Sequence, residues 1–250
     1  MAITEEMKKH LAGLTVPGHV GIIMDGNGRW AERHGLSHLE GHAEGRRATR
    51  RVIQAASDFG IDVLSLYAFS TENWSRSDQE VSGIMHIIEG ALMQELSHLH
   101  RTGIRVYASG RLDQLPESLQ QTIQEAIDLT AGNTDMNLNL CINYGGRAEI
   151  VDAARAVCRD VLCGKLDVDD IDDTVFSGYL YNPELPDLDL IIRSSGELRV
   201  SNFLLWQGAY CEFVSLETLW PDFDAEYLLE AIKEFSERNR RFGGRQSQGQ

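Results

Sequence analysis

His19-Val20-Gly21-Ile22-Ile23-Met24-Asp25-Gly26-Asn27-Gly28-Arg29-Trp30-Ala31 joins an apolar strand to a glycine-rich turn. Val20 to Met24 is continuous and apolar with two isoleucines, which predicts a short buried strand ending at Asp25. Gly26 and Gly28 remove the side chains that would keep an anion away from backbone N–H groups. A helix starting at Arg29-Trp30-Ala31 would aim its free N–H groups and positive end at the same point, giving a phosphate site. A carboxylate at Asp25 repels phosphate unless a cation lies between them, and Mg²⁺, commonly shared between carboxylates and substrate phosphates, suits that position. The alternative is an ordinary strand-turn-helix corner with Asp25 as a helix cap.

Outward from this stretch, strands and helices alternate. A short helix over 4–12 precedes the Pro17-Gly18 break, Gly35 and Gly41 bracket a loop, and a helix runs from His42 to Phe59. A second strand over 61–69 leads into a polar loop. The spacing of Val81, Ile84, Met85, Ile88, Ala91, Leu92, Leu96 and Leu99 then predicts a helix over 80–99 with a wide apolar face. Strands over 104–108, 136–143 and 188–192 and helices over 116–130, 148–163 and 225–241 complete the pattern. This order predicts an α/β single domain with a central, mostly parallel sheet flanked by helices. Ligands should gather at the carboxyl ends of its strands. Residues 1–17 read as an N-terminal arm, 18–242 as one folded domain and 243–250 as a disordered tail.

The chain holds 23 Lys and Arg against 38 Asp and Glu over 250 residues, a net charge of −15 that argues against a nucleic-acid surface. The N-terminus lacks a secretory pattern and no apolar run is long enough to span a bilayer, so the expected location is cytoplasmic. Cys141, Cys158, Cys163 and Cys211 lack Cys-x-x-Cys spacing and read as buried thiols in a reducing compartment.

Two metal-like patterns are set aside. Asp169-Asp170-Ile171-Asp172-Asp173 has carboxylate spacing suited to Mg²⁺ but reads as a solvated loop leading into a short helix. His34, His38 and His42 have helical spacing, but Gly35 and Gly41 argue against one continuous helix and therefore against zinc. Three further stretches carry chemistry. Ser70-Thr71-Glu72-Asn73-Trp74-Ser75-Arg76 places hydroxyls, an amide, an indole and a guanidinium after a strand, with core packing the rival role for Trp74. Arg193, Arg199 and Ser201 follow the strand over 188–192 and could bind a diphosphate through charge-assisted bonds, surface salt bridges being the rival reading. Glu212 sits in an apolar run, which is costly unless it is paired.

Together with Gly41-His42, Asn143-Tyr144-Gly145-Gly146-Arg147 and Trp220-Pro221-Asp222-Phe223, these stretches resemble, in order, the signatures of the cis-prenyltransferases, the undecaprenyl diphosphate synthase family. The resemblance runs from about His19 to Gly244. It implies sequential condensation of isopentenyl diphosphate onto an allylic diphosphate, farnesyl diphosphate being expected, with Mg²⁺ as cofactor. A hydrophobic tunnel between the 42–59 helix, the 80–99 helix and the sheet would hold the growing chain.

By the same resemblance, Gly26, Asn27, Gly28, Arg29, Trp30, His38 and His42 bind the allylic diphosphate, and Ser70, Thr71, Glu72, Trp74, Arg76 and Glu80 lie beside it. Arg193, Arg199 and Ser201 hold isopentenyl diphosphate, and Asn73 is implicated in deprotonation. Asp25 and Glu212 hold the metal, Glu212 within the chain or across a dimer interface, with an ion pair to an arginine as its rival role. His38 stands where many members carry Arg, which weakens that contact. The resemblance further implies a homodimer. A long polyprenyl product such as undecaprenyl diphosphate would bring it transiently to the inner face of a membrane. A short-chain, medium-chain or irregular synthase and a non-catalytic partner subunit are the alternatives.

Overall fold

A computed structural model describes residues 3–238 of the chain. Six strands, β1 (His19–Ile23), β2 (Val63–Ser70), β3 (Ile104–Ser109), β4 (Met136–Tyr144), β5 (Leu190–Arg193) and β6 (Glu212–Ser215), form one sheet. Its order is β3-β4-β2-β1-β5-β6. All five pairings are parallel, so every strand delivers its following loop to the same edge. Around it lie the helices α1 (Glu5–Leu11), α2 (Asn27–His34), α3 (His38–Asp58), α4 (Asp78–Arg101), α5 (Glu117–Thr130), α6 (Gly146–Leu162), α7 (Asp173–Ser177) and α8 (Ala225–Glu237).

Alternation along the strands divides the interior. Val20, Ile22, Leu64, Leu66 and Leu138 join a core with α3, α4, α5 and α8, while Ile23, Cys141, Tyr144, Ile191 and Phe203 form a smaller core on the other face. A parallel sheet buries both faces, so apolar residues dominate its central strands, and buried polar ones among them, His19, Ser65 and Asn139, are joined by hydrogen bonds. From β1 the chain moves to β2 on one side, and it later returns to place β5 on the other. The switch point therefore lies between the ends of β1 and β5, where a crevice for ligands opens in such sheets.

Several boundaries differ from expectation. Helix α3 begins at His38, not His42, because Ser37 and Glu40 form a reciprocal capping box. Gly41 is consequently inside the helix. Its role is close approach, since a Cβ there would lie 2.3 Å from the Asn27 carbonyl oxygen of α2. Helix α2 starts at Asn27, two residues before the expected start, with Gly26 at φ 107° as its cap. The edge strand β6 was not anticipated. Helix α8 stops at Glu237, where extended Arg238 turns back to the Glu212 carboxylate and the Phe213 carbonyl. The expected tail, 243–250, lies outside the described residues.

Cys141 is buried, but Cys158 and Cys163 on and after α6 are exposed, Cys211 is intermediate, and all four are free thiols. Cys158 lies on the outer face of α6 beside buried Val157, and Cys163 follows the helix end beside Leu162, which is itself exposed. Asp169 and Asp170 lie in a turn and Asp172 caps α7, as expected for a solvated loop.

Candidate active site

A cavity of about 680 Å³ lies between α3, α4 and the sheet, and its mouth opens at the switch point. Ile53 of α3, Ile84, Ile88 and Leu92 of α4, and Leu66 and Leu138 of the sheet line its depth. Asp25, Asn27, His42, Ser70, Glu72, Asn73, Arg76, Arg193, Arg199 and Ser201 line its mouth. An apolar hole capped at one end by charge is shaped for a molecule with a hydrocarbon body and an anionic head.

At the centre of the mouth stands Asp25. Its backbone is pinned by buried Ser194 at the end of β5, whose hydroxyl accepts the Asp25 N–H at 2.9 Å and donates to the Asp25 carbonyl at 2.6 Å. Its carboxylate accepts from Arg193 Nη2 at 2.8 Å and lies 3.4 Å from Arg29 Nη2. Burial pushes the Asp25 pKa up, but the Arg193 hydrogen bond and charge, with Arg29 behind them, hold it below the usual carboxylate value. Arg193 is 4 % exposed and also donates to Ser201 Oγ at 2.6 Å, leaving a buried Nε without a partner. Arg29 in turn donates to Ser195 Oγ at 2.6 Å.

No side chain caps α2, so its first N–H groups remain open toward the crevice. His42, one turn into α3, faces Asn27 at 3.5 Å, Arg76 at 3.5 Å and Glu80 at 3.9 Å. Desolvation, assisted by the Arg76 charge, lowers its pKa to about 4 against the pull of Glu80, so the ring is neutral at neutral pH. His38 and His42 do share one helix, contrary to expectation. They serve different partners, His38 pointing to Glu32 at 3.3 Å.

The turn after β2, Thr71–Ser75, is held at its start by the Asn73 side chain, whose Oδ1 accepts the Ser70 N–H at 3.0 Å. Arg76 closes onto Glu80 at 2.9 Å. Trp74 is not in the cavity: it packs edge-on against Phe69 and donates to Asn143. Trp30 also points elsewhere, bonding Asp222 at 2.8 Å and stacking on His34. Gly26, Gly28, Thr71, His38 and Glu80 sit around the mouth without lining it.

Glu212 is farthest from the cluster. It opens β6 level with Leu190, whereas Ser215 is level with Arg193, so it lies roughly 10 Å along the strand from the Asp25 end. There it accepts from Arg238 at 3.0 Å, and within one chain it does not meet Asp25. Among the described residues no group of three His, Cys, Asp or Glu side chains gathers to hold a metal. The donor set nevertheless fits Mg²⁺, because one ionised carboxylate at the edge of an anion pocket suffices when phosphate and water oxygens complete the shell.

Ser195 and Asn202 were not singled out from sequence. Ser195 anchors Arg29, and Asn202 donates to Glu72 at 2.8 Å and accepts the Arg147 N–H, joining three loops. Both belong to the polar run after β5, but only their left-handed backbones, φ 76° and 62°, aim them inward.

The Prenyltransf family model, described as undecaprenyl diphosphate synthase, matches residues 23–243. The isoprenyl transferase of Heliobacterium mobile is 46 % identical over 97 % of this chain and 92 % of its own length. A trans,polycis-polyprenyl diphosphate synthase ((2Z,6E)-farnesyl diphosphate specific) of Thermobifida fusca is 48 % identical over 92 % of this chain and 81 % of its own. Among solved structures, lavandulyl diphosphate synthase from Lavandula x intermedia, in complex with dimethylallyl diphosphate, superposes with a TM-score of 0.89 at 39 % identity, covering 91 % of this chain and 98 % of that one.

Proposed function

Because the chain belongs to the undecaprenyl diphosphate synthase family of isoprenyl transferases, we propose that it extends an allylic diphosphate, farnesyl diphosphate or a close relative, by repeated cis condensation with isopentenyl diphosphate. The observation that carries this reading is the apolar cavity ending in the Asp25, Arg193 and His42 cluster. The allylic diphosphate rests on the open N–H groups from Gly26 to Arg29, on the Arg29 guanidinium and on His42, with its hydrocarbon in the cavity. Isopentenyl diphosphate rests on Arg193, Arg199 and Ser201, which replaces part of the internal pairing these side chains make.

The new carbon–carbon bond forms as the allylic diphosphate departs, and a proton is then lost from the isopentenyl unit. Asn73, fixed by Ser70, steers that proton, and as a neutral amide it passes it on to a diphosphate oxygen. Asp25 is the residue that would hold Mg²⁺, whose charge helps neutralise the departing diphosphate when it is bound. Glu212, paired with Arg238 and away from Asp25 within one chain, would help hold that ion only from a second subunit of a homodimer.

Each five-carbon unit transfers roughly 4 kcal/mol of gross hydrocarbon burial, at about 0.8 kcal/mol per carbon. Extension is thereby favoured and release of a long product slowed. A long product such as undecaprenyl diphosphate would be a carrier lipid handed to the inner face of a membrane by a cytoplasmic enzyme. Among the described residues no helix is long and apolar enough to cross a membrane.

The close superposition on lavandulyl diphosphate synthase favours a second reading, a short or irregular coupling on the same site. Incubation with farnesyl or dimethylallyl diphosphate, labelled isopentenyl diphosphate and Mg²⁺, with and without chelator, separates the two. A chelator-sensitive ladder of long products is expected. A single short product from dimethylallyl diphosphate would favour the second reading, and no incorporation from either would overturn both.

A further inference from the structure

The stretch Asn143 to Arg147 ends β4 without contributing a side chain to the cavity mouth. Asn143 is nevertheless unusual. It is 1 % exposed, and its backbone is left-handed at φ 48°, a conformation that Asn tolerates better than most residues but that still carries a cost. Its side chain is fully engaged: Oδ1 accepts Trp74 Nε1–H at 2.7 Å, and Nδ2 donates to the Arg111 carbonyl at 2.9 Å and to Gln114 Oε1 at 3.4 Å.

Trp74 is 41 % exposed, so burial alone does not fix its ring. Its edge-on contact with Phe69 leaves the indole N–H free to choose a direction, and Asn143 supplies it. Among the described residues, the turn over 71–75 has one other side-chain tether to distant sequence, from Asn202 to Glu72. Between those two anchors sits Asn73, at the cavity mouth.

We propose that Asn143 is a positioning residue, which holds Trp74 and through it sets the place of Asn73 and Arg76 in the reaction. This rests on the reading of the turn as the site of chain extension. The bond couples the β4 end and the loop after β3 to a turn that would otherwise be secured on one side only. Displacing a reacting group by about 1 Å costs up to roughly a hundredfold in rate, so a single misplaced tether is enough to matter.

The test uses Asn143→Gly, which keeps the left-handed backbone while deleting the tether, together with Trp74→Phe and the double variant. Each single variant should lower kcat by about tenfold or more while leaving the KM for isopentenyl diphosphate within about twofold, because Arg193, Arg199 and Ser201 are untouched. The double variant should be no worse than the singles. Acrylamide quenching of Trp74, taken as the difference between each protein and its Trp74→Phe counterpart, should rise in Asn143→Gly.

Unchanged kcat in Trp74→Phe, or multiplicative losses in the double variant, would overturn the proposal. Trp74→Phe alters an exposed ring, so it decides the matter if Asn143→Gly does not fold. If the parent incorporates no isopentenyl diphosphate, the proposed function fails. The quenching comparison still decides whether Asn143 orders the turn, with unchanged quenching refuting it.

Discussion

Replacing Gly41 by alanine tests whether the cavity mouth depends on the contact between α2 and α3. The added Cβ would lie 2.3 Å from the Asn27 carbonyl oxygen and 2.9 Å from the Ala31 Cβ, against an ordinary contact of at least 3.4 Å. Both neighbours are short or part of the backbone, so no flexible side chain can swing away, and α2 must withdraw by about 1 Å. Overpacking costs about 1–3 kcal/mol, and the gain in helix propensity from Gly to Ala returns up to about 1 kcal/mol. The net loss corresponds to a Tm lowered by a few degrees in a domain of this size, at roughly 2–4 °C per kcal/mol. Activity should suffer far more, because α2 carries the open N–H groups and Asn27 beside His42, and a displacement of about 1 Å costs on the order of a hundredfold.

The control is Gly90→Ala in α4, where a Cβ meets nothing within 4 Å and the change should stabilise by about 0.5–1 kcal/mol. Thermal unfolding and incorporation of labelled isopentenyl diphosphate, measured on both variants, give the comparison. Parent-like activity in Gly41→Ala would refute the argument, and so would equal damage in the two.

The low pKa of His42 gives a pH dependence of stability. The folded value of about 4 lies below the unfolded 6.5, so its contribution is complete above pH 6.5 and is lost as pH falls toward 4, amounting to about 3 kcal/mol at roughly 1.4 kcal/mol per pH unit. Denaturant unfolding of His42→Gln between those pH values should show a flatter profile than the parent, and superimposable profiles would contradict this. Ala68→Leu fills part of the cavity wall on β2 and should shorten the product, seen by chromatography of the extracted lipids; an unchanged length distribution would remove the cavity from the account. Asp25→Asn should abolish chelator-sensitive incorporation, while leaving Arg193 with a weaker partner at its buried position and lowering stability.

The alternation of strands and helices, the parallel sheet apart from its edge strand β6, and the loops on which the chemistry sits were all legible in the sequence. Those features follow from local periodicity: Val20 to Ile23 is continuously apolar, and the apolar spacing from Val81 to Leu99 is that of a helix, whatever lies beside them. Tertiary structure alone decided which charges meet. Asp25 and Arg193 lie 168 residues apart and become partners because β1 and β5 are neighbours in the sheet. Trp74, read as part of the substrate loop, turns instead to Asn143.

Gly41 looks like a helix breaker on local propensity, yet the close approach of α2 makes it a packing residue inside α3. The short strand β6, which carries Glu212, has too few residues to show a period and acquires its identity from the edge of β5. Hydrophobic periodicity is written into consecutive residues, whereas the pairing of charges and the fit of one backbone against another exist only once distant segments share a surface.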